Sequence, residues 1–141
     1  MLQVGDRFPV ERLPVQPNGP AVVYFYPEAM TPGCTIEAKG FNDRYERFRE
    51  AGYEVIGVSV DPADKNDEFR STCGLDFPLV SDEGAKLTTD LGLLKDYGEY
   101  GWLARRATFL LDDEGVVQQA WDVTDSATHP DDVLAAVTRS T

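Results

Sequence analysis

Lysine, histidine and cysteine are all scarce in this chain of 141 residues, and each shortage removes a class of function. Only 4 of the 13 cations are lysines (Lys39, Lys65, Lys86 and Lys95), set against 25 acidic residues for a net charge of −12. Such a surface repels polynucleotides and anionic lipid, so neither nucleic acid nor a membrane is expected as a partner. The lysine-poor, acidic composition resembles proteins of high-salt cytoplasms. A GC-rich genome and an acidic solvated face would produce the same composition. The one histidine, His129, has no cysteine or carboxylate cluster around it in sequence, which argues against a metal site and suits a capping or surface residue. Two cysteines, Cys34 and Cys73, are too few for a disulfide framework at this length; in a cytosolic chain they are catalytic, redox-active or simply buried. No apolar run is long enough to span a bilayer. The opening Met1–Arg7 also lacks the basic segment and apolar stretch of a signal peptide, so a cytoplasmic protein is expected. Internal repeats, low-complexity segments and linkers are missing too. With 42% apolar and 11% aromatic residues, the composition fits one globular domain over residues 1–141.

What the chain does have is a concentrated stretch from Ala21 to Phe41. Val22 to Tyr26 is an unbroken β-branched and aromatic run, the pattern of a central strand covered on both faces. Pro27 cannot donate to a ladder and ends the strand, and a loop leads to Thr31-Pro32-Gly33-Cys34. Thr31 fits the N-cap, and Pro32 fits the first helical position, where no amide proton is needed. Cys34 then takes the third position, where a capping box would carry Glu or Gln. Unpaired amides at a helix start favour an anion, and thiolate is the nucleophilic form of cysteine. A structural cysteine is the alternative, but a helix start just after a loop suits core packing poorly.

Along the rest of the chain, Pro9, Pro14, Pro17 and Pro20 mark short edge strands and turns. Ala38, Phe41, Tyr45 and Phe48 recur on one helical face, with Gly52 as the stop. Tyr53–Val60 reads as a second buried strand. Asp61-Pro62 reads as an N-cap and first turn of a helix running to about Cys73, closed by Gly74. Pro78–Val80 suits a short strand, Gly84–Leu91 a short helix, and Lys95–Arg105 an aromatic-rich loop. Ala107–Leu111 and Val116–Val123 form a hairpin through Asp112–Gly115, and a last helix spans about Pro130–Thr138. A parallel strand–helix–strand unit followed by an antiparallel hairpin is an α/β arrangement: a thioredoxin-like fold, with a central mixed β-sheet flanked by helices on both faces.

Pro27-x-x-x-Thr31-x-x-Cys34, with Glu37 three residues on, resembles the active-site signature of the peroxiredoxins. The wording YFYPEAMTPGCTIEA is similar to their PrxQ, or bacterioferritin comigratory protein, subgroup. The resemblance implies a thioredoxin-like fold and thiol-dependent reduction of hydrogen peroxide and organic hydroperoxides. The segment before the first strand is shorter than is usual in the family, as if an N-terminal hairpin were trimmed. By the same resemblance Cys34 is the peroxidatic nucleophile and becomes a sulfenic acid. Thr31 orients the peroxide, and Pro27 shields the thiolate. Arg106, in Arg105-Arg106-Ala107-Thr108-Phe109, reaches the sulfur and the peroxide oxygen, while Glu37 holds the arginine. Alternation along a strand sends Arg105 and Arg106 to opposite faces, and the family register picks Arg106.

Thr31 stands where a C-x-x-C motif would hold its first thiol, which weighs against a thiol-disulfide oxidoreductase on the same fold; a non-enzymatic thioredoxin-like binding module is the other alternative. Many members of the subgroup have a second cysteine five residues after the first, but here that residue is Lys39, rotated roughly 140° around the helix from Cys34. Cys73, 39 positions after Cys34, is the remaining candidate for the resolving thiol. It follows Phe69 by one helical turn and is equally consistent with a buried, inert cysteine, so an internal disulfide and a one-cysteine cycle both stay open. Tyr97, Tyr100 and Trp102 either wall the pocket or cover the core. No cofactor is called for, because sulfur performs both redox steps. The expected partners are a peroxide and a reductant, either thioredoxin or a low-molecular-weight thiol, acting on a monomer or weak homodimer.

Overall fold

The computed structural model describes residues 1–139. Its strands, in chain order, are β1 (Ala21–Phe25), β2 (Glu54–Ser59), β3 (Leu79–Ser81), β4 (Leu94–Asp96), β5 (Trp102–Ala104), β6 (Ala107–Leu111) and β7 (Val117–Asp122). The helices are α1 (Pro32–Asp43), α2 (Tyr45–Glu50), α3 (Ala63–Cys73), α4 (Lys86–Asp90) and α5 (His129–Arg139). Five strands form one mixed sheet in the order β3-β2-β1-β6-β7. At its centre β1 runs parallel to β2, with Val23 opposite Ile56, and antiparallel to β6, with Val23 opposite Phe109.

All five residues of β1 are buried because both faces of the sheet are covered. Val22 and Tyr24, with Tyr26 just beyond the strand, pack into one core together with Cys34, Phe41, Phe48, Phe69, Val133 and Val137. Ala21, Val23 and Phe25 face a second core with Phe8, Leu13, Leu87, Leu93 and Phe109. Each large apolar side chain so enclosed contributes about 1.5–3 kcal/mol. The first face is covered by α1, α2, α3 and α5. The second carries the short α4, the N-terminal segment and the β4–β5 hairpin. Helices therefore flank both faces, unequally. Among the described residues no helix is long and apolar enough to cross a membrane.

Several local expectations change. The stripe Ala38–Phe48 is not one helix. It breaks at Arg44 (φ −108°), whose amide closes a tight turn onto the Phe41 carbonyl at 3.1 Å. The Arg44 side chain reaches Asp131 at 2.5 Å and the Gly40 carbonyl at 2.8 Å, tying the break to α5. Lys95–Arg105 is not a plain loop either. Leu94–Asp96 pairs antiparallel with Trp102–Ala104, because buried Leu93 and Ala104 pin both flanks to the second core. Instead of edge strands, the N-terminal segment makes a single bridge, Arg7 to Val116, and a 3-10 turn at Val10–Arg12; its prolines remove the donors a longer ladder needs. The helix stop at Gly74 is as expected: at φ +63° it lets the Leu75 amide return to the Arg70 carbonyl at 3.0 Å.

Candidate active site

The site forms where β1 hands over to α1. Tyr26 extends the ladder by one bond, its amide donating to the Val58 carbonyl at 3.0 Å, and Pro27 then ends it. In the loop that follows, Met30 holds φ +70°, a conformation that costs a non-glycine residue free energy and persists only where its surroundings impose it. Two bonds do so. The Ala29 amide donates to Asp61 at 2.8 Å, and the Thr31 hydroxyl donates to the Glu28 carbonyl at 2.7 Å. Thr31 occupies the N-cap position with extended backbone, but its side chain makes no bond to the helix, contrary to the expected cap. The hydroxyl turns back into the loop, and the helix begins instead with Thr35 donating to the Thr31 carbonyl at 2.9 Å.

In α1 the buried residues are Cys34, Glu37, Ala38 and Phe41, spaced for one inward face. Cys34 is only 1% exposed and belongs to the first core, so a helix start proves compatible with core packing here. What distinguishes it from an inert thiol is its polar contact. Arg106, immediately before β6, places one guanidinium nitrogen 3.3 Å from the Cys34 sulfur and another 2.7 Å from Glu37 Oε1. The Arg106 main chain is held in turn by the Val123 amide, which donates to its carbonyl at 2.9 Å. Arg105 points the other way and pairs at the surface with Asp122 at 2.8 Å.

The electrostatics follow from burial. Glu37 has no solvent exposure and its Oε2 has no hydrogen-bond partner; burial pushes the carboxyl up to about 7 against the pull of Arg106. Burial also works against the Arg106 charge, but Glu37 and the Cys34 sulfur outweigh it and hold the guanidinium above its ordinary value. The Tyr24 hydroxyl is a second buried atom without a partner, and burial raises its pKa well above the ordinary tyrosine value. Gly33 makes the close approach possible, since a Cβ there would sit 3.2 Å from the Arg106 guanidinium and 3.7 Å from Ser126 Oγ.

Several residues acquire positions that sequence reading missed. Asp61 is not the cap of α3; Pro62 occupies that position. The Asp61 carboxylate, 6% exposed, turns inward to accept from Ala29 and from the Ser59 hydroxyl at 2.8 Å, because a carboxylate taken from water must find donors. Asn66 of α3 joins the same network, accepting from Tyr26 Oη and donating to Ser59 Oγ at 3.0 Å. The polar Ser59-x-Asp61 at the end of an otherwise apolar strand was the available signal. His129 is buried rather than capping or exposed. It lies edge-on to Phe41 and Trp121, with Nε2 2.7 Å from Thr108 Oγ1, and burial lowers it to about 4. Tyr100 and Trp102 are exposed and cover no core. Tyr97 is half-buried, its hydroxyl donating to the Ala104 carbonyl at 3.3 Å, and burial raises its pKa above the ordinary tyrosine value. Lys39 is exposed, away from the thiol. Cys73 ends α3 half-buried against the first core, and both thiols are free. Among the described residues no group of three His, Cys, Asp or Glu side chains could hold a metal ion.

The fold and this geometry define a class: a thioredoxin-like domain with a buried thiol under a guanidinium at a helix start. The AhpC/TSA family model matches residues 8–120. Chloroplastic peroxiredoxin Q of Oryza sativa subsp. japonica is 48% identical over 103 residues, covering 73% of this chain and 46% of that protein. Peroxiredoxin Bcp of Xanthomonas campestris pv. campestris is 43% identical over 119 residues, covering 82% and 74%. The solved Xanthomonas campestris bacterioferritin comigratory protein, a trapped intermediate/ligand complex bearing on alkyl peroxide reduction, superposes with TM-score 0.80 at 40% identity over 87% of this chain and 80% of its own. The chain belongs to the AhpC/TSA family, in its peroxiredoxin Q and bacterioferritin comigratory protein branch. It spans about half the length of the plant relatives it matches.

Proposed function

We propose that this protein is a thiol peroxidase that reduces hydrogen peroxide and organic hydroperoxides at Cys34. The observation that carries the reading is the Arg106 guanidinium shared between the Cys34 sulfur and the Glu37 carboxylate. The guanidinium stands against the reacting sulfur. The same cation stabilises negative charge on the oxygen that departs. The Cys34 thiolate attacks the terminal peroxide oxygen, the O–O bond breaks, and a new S–O bond forms a sulfenic acid. The leaving alkoxide or hydroxide takes both electrons of the O–O bond and then a proton, so sulfur is oxidised and the peroxide reduced. Thr31 accepts a hydrogen bond from the incoming peroxide, Pro27 covers the thiolate, and Glu37 fixes the arginine. The Xanthomonas relative's connection with alkyl peroxide reduction supports the organic substrates.

Regeneration runs through an external thiol, thioredoxin or a low-molecular-weight one. Asn42, eight residues and roughly 12 Å along α1 from Cys34, donates its side-chain amide to the carbonyl of Gly74, the residue after Cys73. A disulfide needs Cα atoms within about 7 Å, so Cys73 can resolve Cys34 only if both helix ends unwind. The same proposal has residues 1–141 working as one cytoplasmic domain, monomeric or weakly dimeric, without nucleic acid or membrane partners. Mass spectrometry after one equivalent of peroxide tests the cycle. A sulfenic adduct confined to Cys34 is expected, with full turnover by Cys73→Ser on a small thiol and none by Cys34→Ser. A two-hydrogen loss linking Cys34 and Cys73 would replace the external-thiol cycle, and near-normal turnover by Cys34→Ser would remove the peroxidase reading altogether.

A further inference from the structure

The Ala29 N–H and the Glu28 C=O are the two ends of one peptide group. The N–H donates to Asp61 Oδ2 at 2.8 Å, and the C=O accepts the Thr31 hydroxyl proton at 2.7 Å. A trans peptide is planar with its N–H and C=O pointing in opposite directions, so fixing one end fixes the other. We infer that Asp61 is a positioning residue of the peroxide site: by anchoring the Glu28–Ala29 peptide it commits the Thr31 hydroxyl to act as an acceptor toward the substrate.

Threonine has one hydroxyl proton and two lone pairs. With its proton given to Glu28, Thr31 can offer a third party only lone pairs. A hydroperoxide approaching Cys34 carries a proton that needs such an acceptor. If the peptide turned over, its carbonyl would leave Thr31, and the freed proton could point into the pocket and compete for the same peroxide oxygens. The loop does not hold its shape unaided, because Met30, next to Ala29, sits at φ +70°.

The anchor is built for this load. Asp61 is 6% exposed and Ala29 2%, so the bond between them lies in a region where water offers little competition. Ser59 donates to the same Oδ2 at 2.8 Å, while Lys65 lies 3.4 Å from Oδ1 and 2.8 Å from the Glu28 carboxylate. The carboxylate is thus held from three sides with its charge balanced by a lysine. A charged acceptor on the N–H also polarises the amide and strengthens its carbonyl toward Thr31. Asp61 touches neither sulfur nor substrate. It acts through one peptide and one hydroxyl.

This inference rests on the proposed role of Thr31, and a double-mutant cycle separates the two. Asp61→Asn, Thr31→Val and the double variant are each measured for the rate of peroxide reaction with the reduced protein, for Cys34 alkylation by iodoacetamide, which needs no acceptor at Thr31, and for thermal stability. Asp61→Asn is expected to slow the peroxide reaction about tenfold, the difference between a charged and a neutral acceptor, while alkylation stays near wild type. In the Thr31→Val background the same change is expected to cost nothing further. An equal loss in both backgrounds, or alkylation falling in parallel with the peroxide rate, overturns the inference. A Thr31→Val rate equal to wild type overturns the role of Thr31 itself. Should Asp61→Asn melt below the assay temperature, Ser59→Ala, which takes one donor from Asp61 Oδ2 and leaves the carboxylate in place, carries the same expectations on a smaller scale.

Discussion

Glu37→Gln separates the two things Glu37 does: it pairs with Arg106 and it carries a buried charge. The carboxyl sits near 7 in the folded chain against an ordinary value of 4.5, with burial as the cause. The folded state therefore holds a proton across that interval that the unfolded state releases. The stability linked to this proton is complete below about pH 4.5 and is lost as pH rises through 7. Between pH 5 and 8 the penalty grows by about 2–3 kcal/mol, at 1.4 kcal/mol per pKa unit. Glutamine keeps the shape and an oxygen for Arg106, and it has no proton to lose. Urea unfolding of both proteins at pH 5 and pH 8 reads the effect directly: the variant is expected to gain about 2–3 kcal/mol on the wild type over that range. Its peroxide reaction is expected to slow by about fivefold to tenfold, because a neutral acceptor holds the guanidinium less firmly than a charged one. If the two proteins show the same pH 5 to pH 8 change in stability, Glu37 does not carry a buried ionisation and the reasoning fails.

His129 has the opposite sign. Its folded value near 4 lies below the ordinary 6.5 because the ring is buried, so stability held by the neutral ring is full above about pH 6.5 and is lost as pH falls toward 4. His129→Gln is expected to gain about 2–3 kcal/mol on the wild type between pH 7 and pH 4 in acid unfolding followed by circular dichroism, and equal acid limbs would contradict this. Gly33→Ala puts a methyl 3.2 Å from the Arg106 guanidinium. The peroxide reaction should slow about tenfold by stopped-flow with the unfolding midpoint nearly unchanged, since the group displaced is the end of a flexible side chain; a drop in stability with unchanged rate would argue that Arg106 need not be held where it is.

The linear parts of this protein could be read from its residues. Pro27, Thr31 and Cys34 lie within eight consecutive positions of strand end and helix start, and the β1 alternation assigns each side chain to a face. Arg106 required a family register, because 72 positions separate it from the thiol it touches. What escaped was decided by tertiary contact. Asp61-Pro62 has the local form of a helix cap, and only the buried Ala29 amide, 32 positions away, outcompetes the helix for its carboxylate. Thr31 looks like a cap for the same reason and is drawn off by Glu28. The break at Arg44 carries no proline or glycine, so nothing local announces it; the Arg44 side chain there pairs with an aspartate on α5. His129 reads as a polar residue at a helix start, while the aromatic rings that enclose it come from α1 and β7.

Arg106, paired with Glu37, is a single half-buried cation in a chain of net charge −12. An anionic oxidant or an anionic thiol therefore meets repulsion on the way in, felt over a screening distance of about 8 Å at physiological salt. An uncharged hydroperoxide meets none and encounters the guanidinium only at contact range, where its oxygens begin to gather charge. In the proposed peroxidase, selection among substrates thus starts with their charge in solution, before Thr31 or Cys34 has touched them.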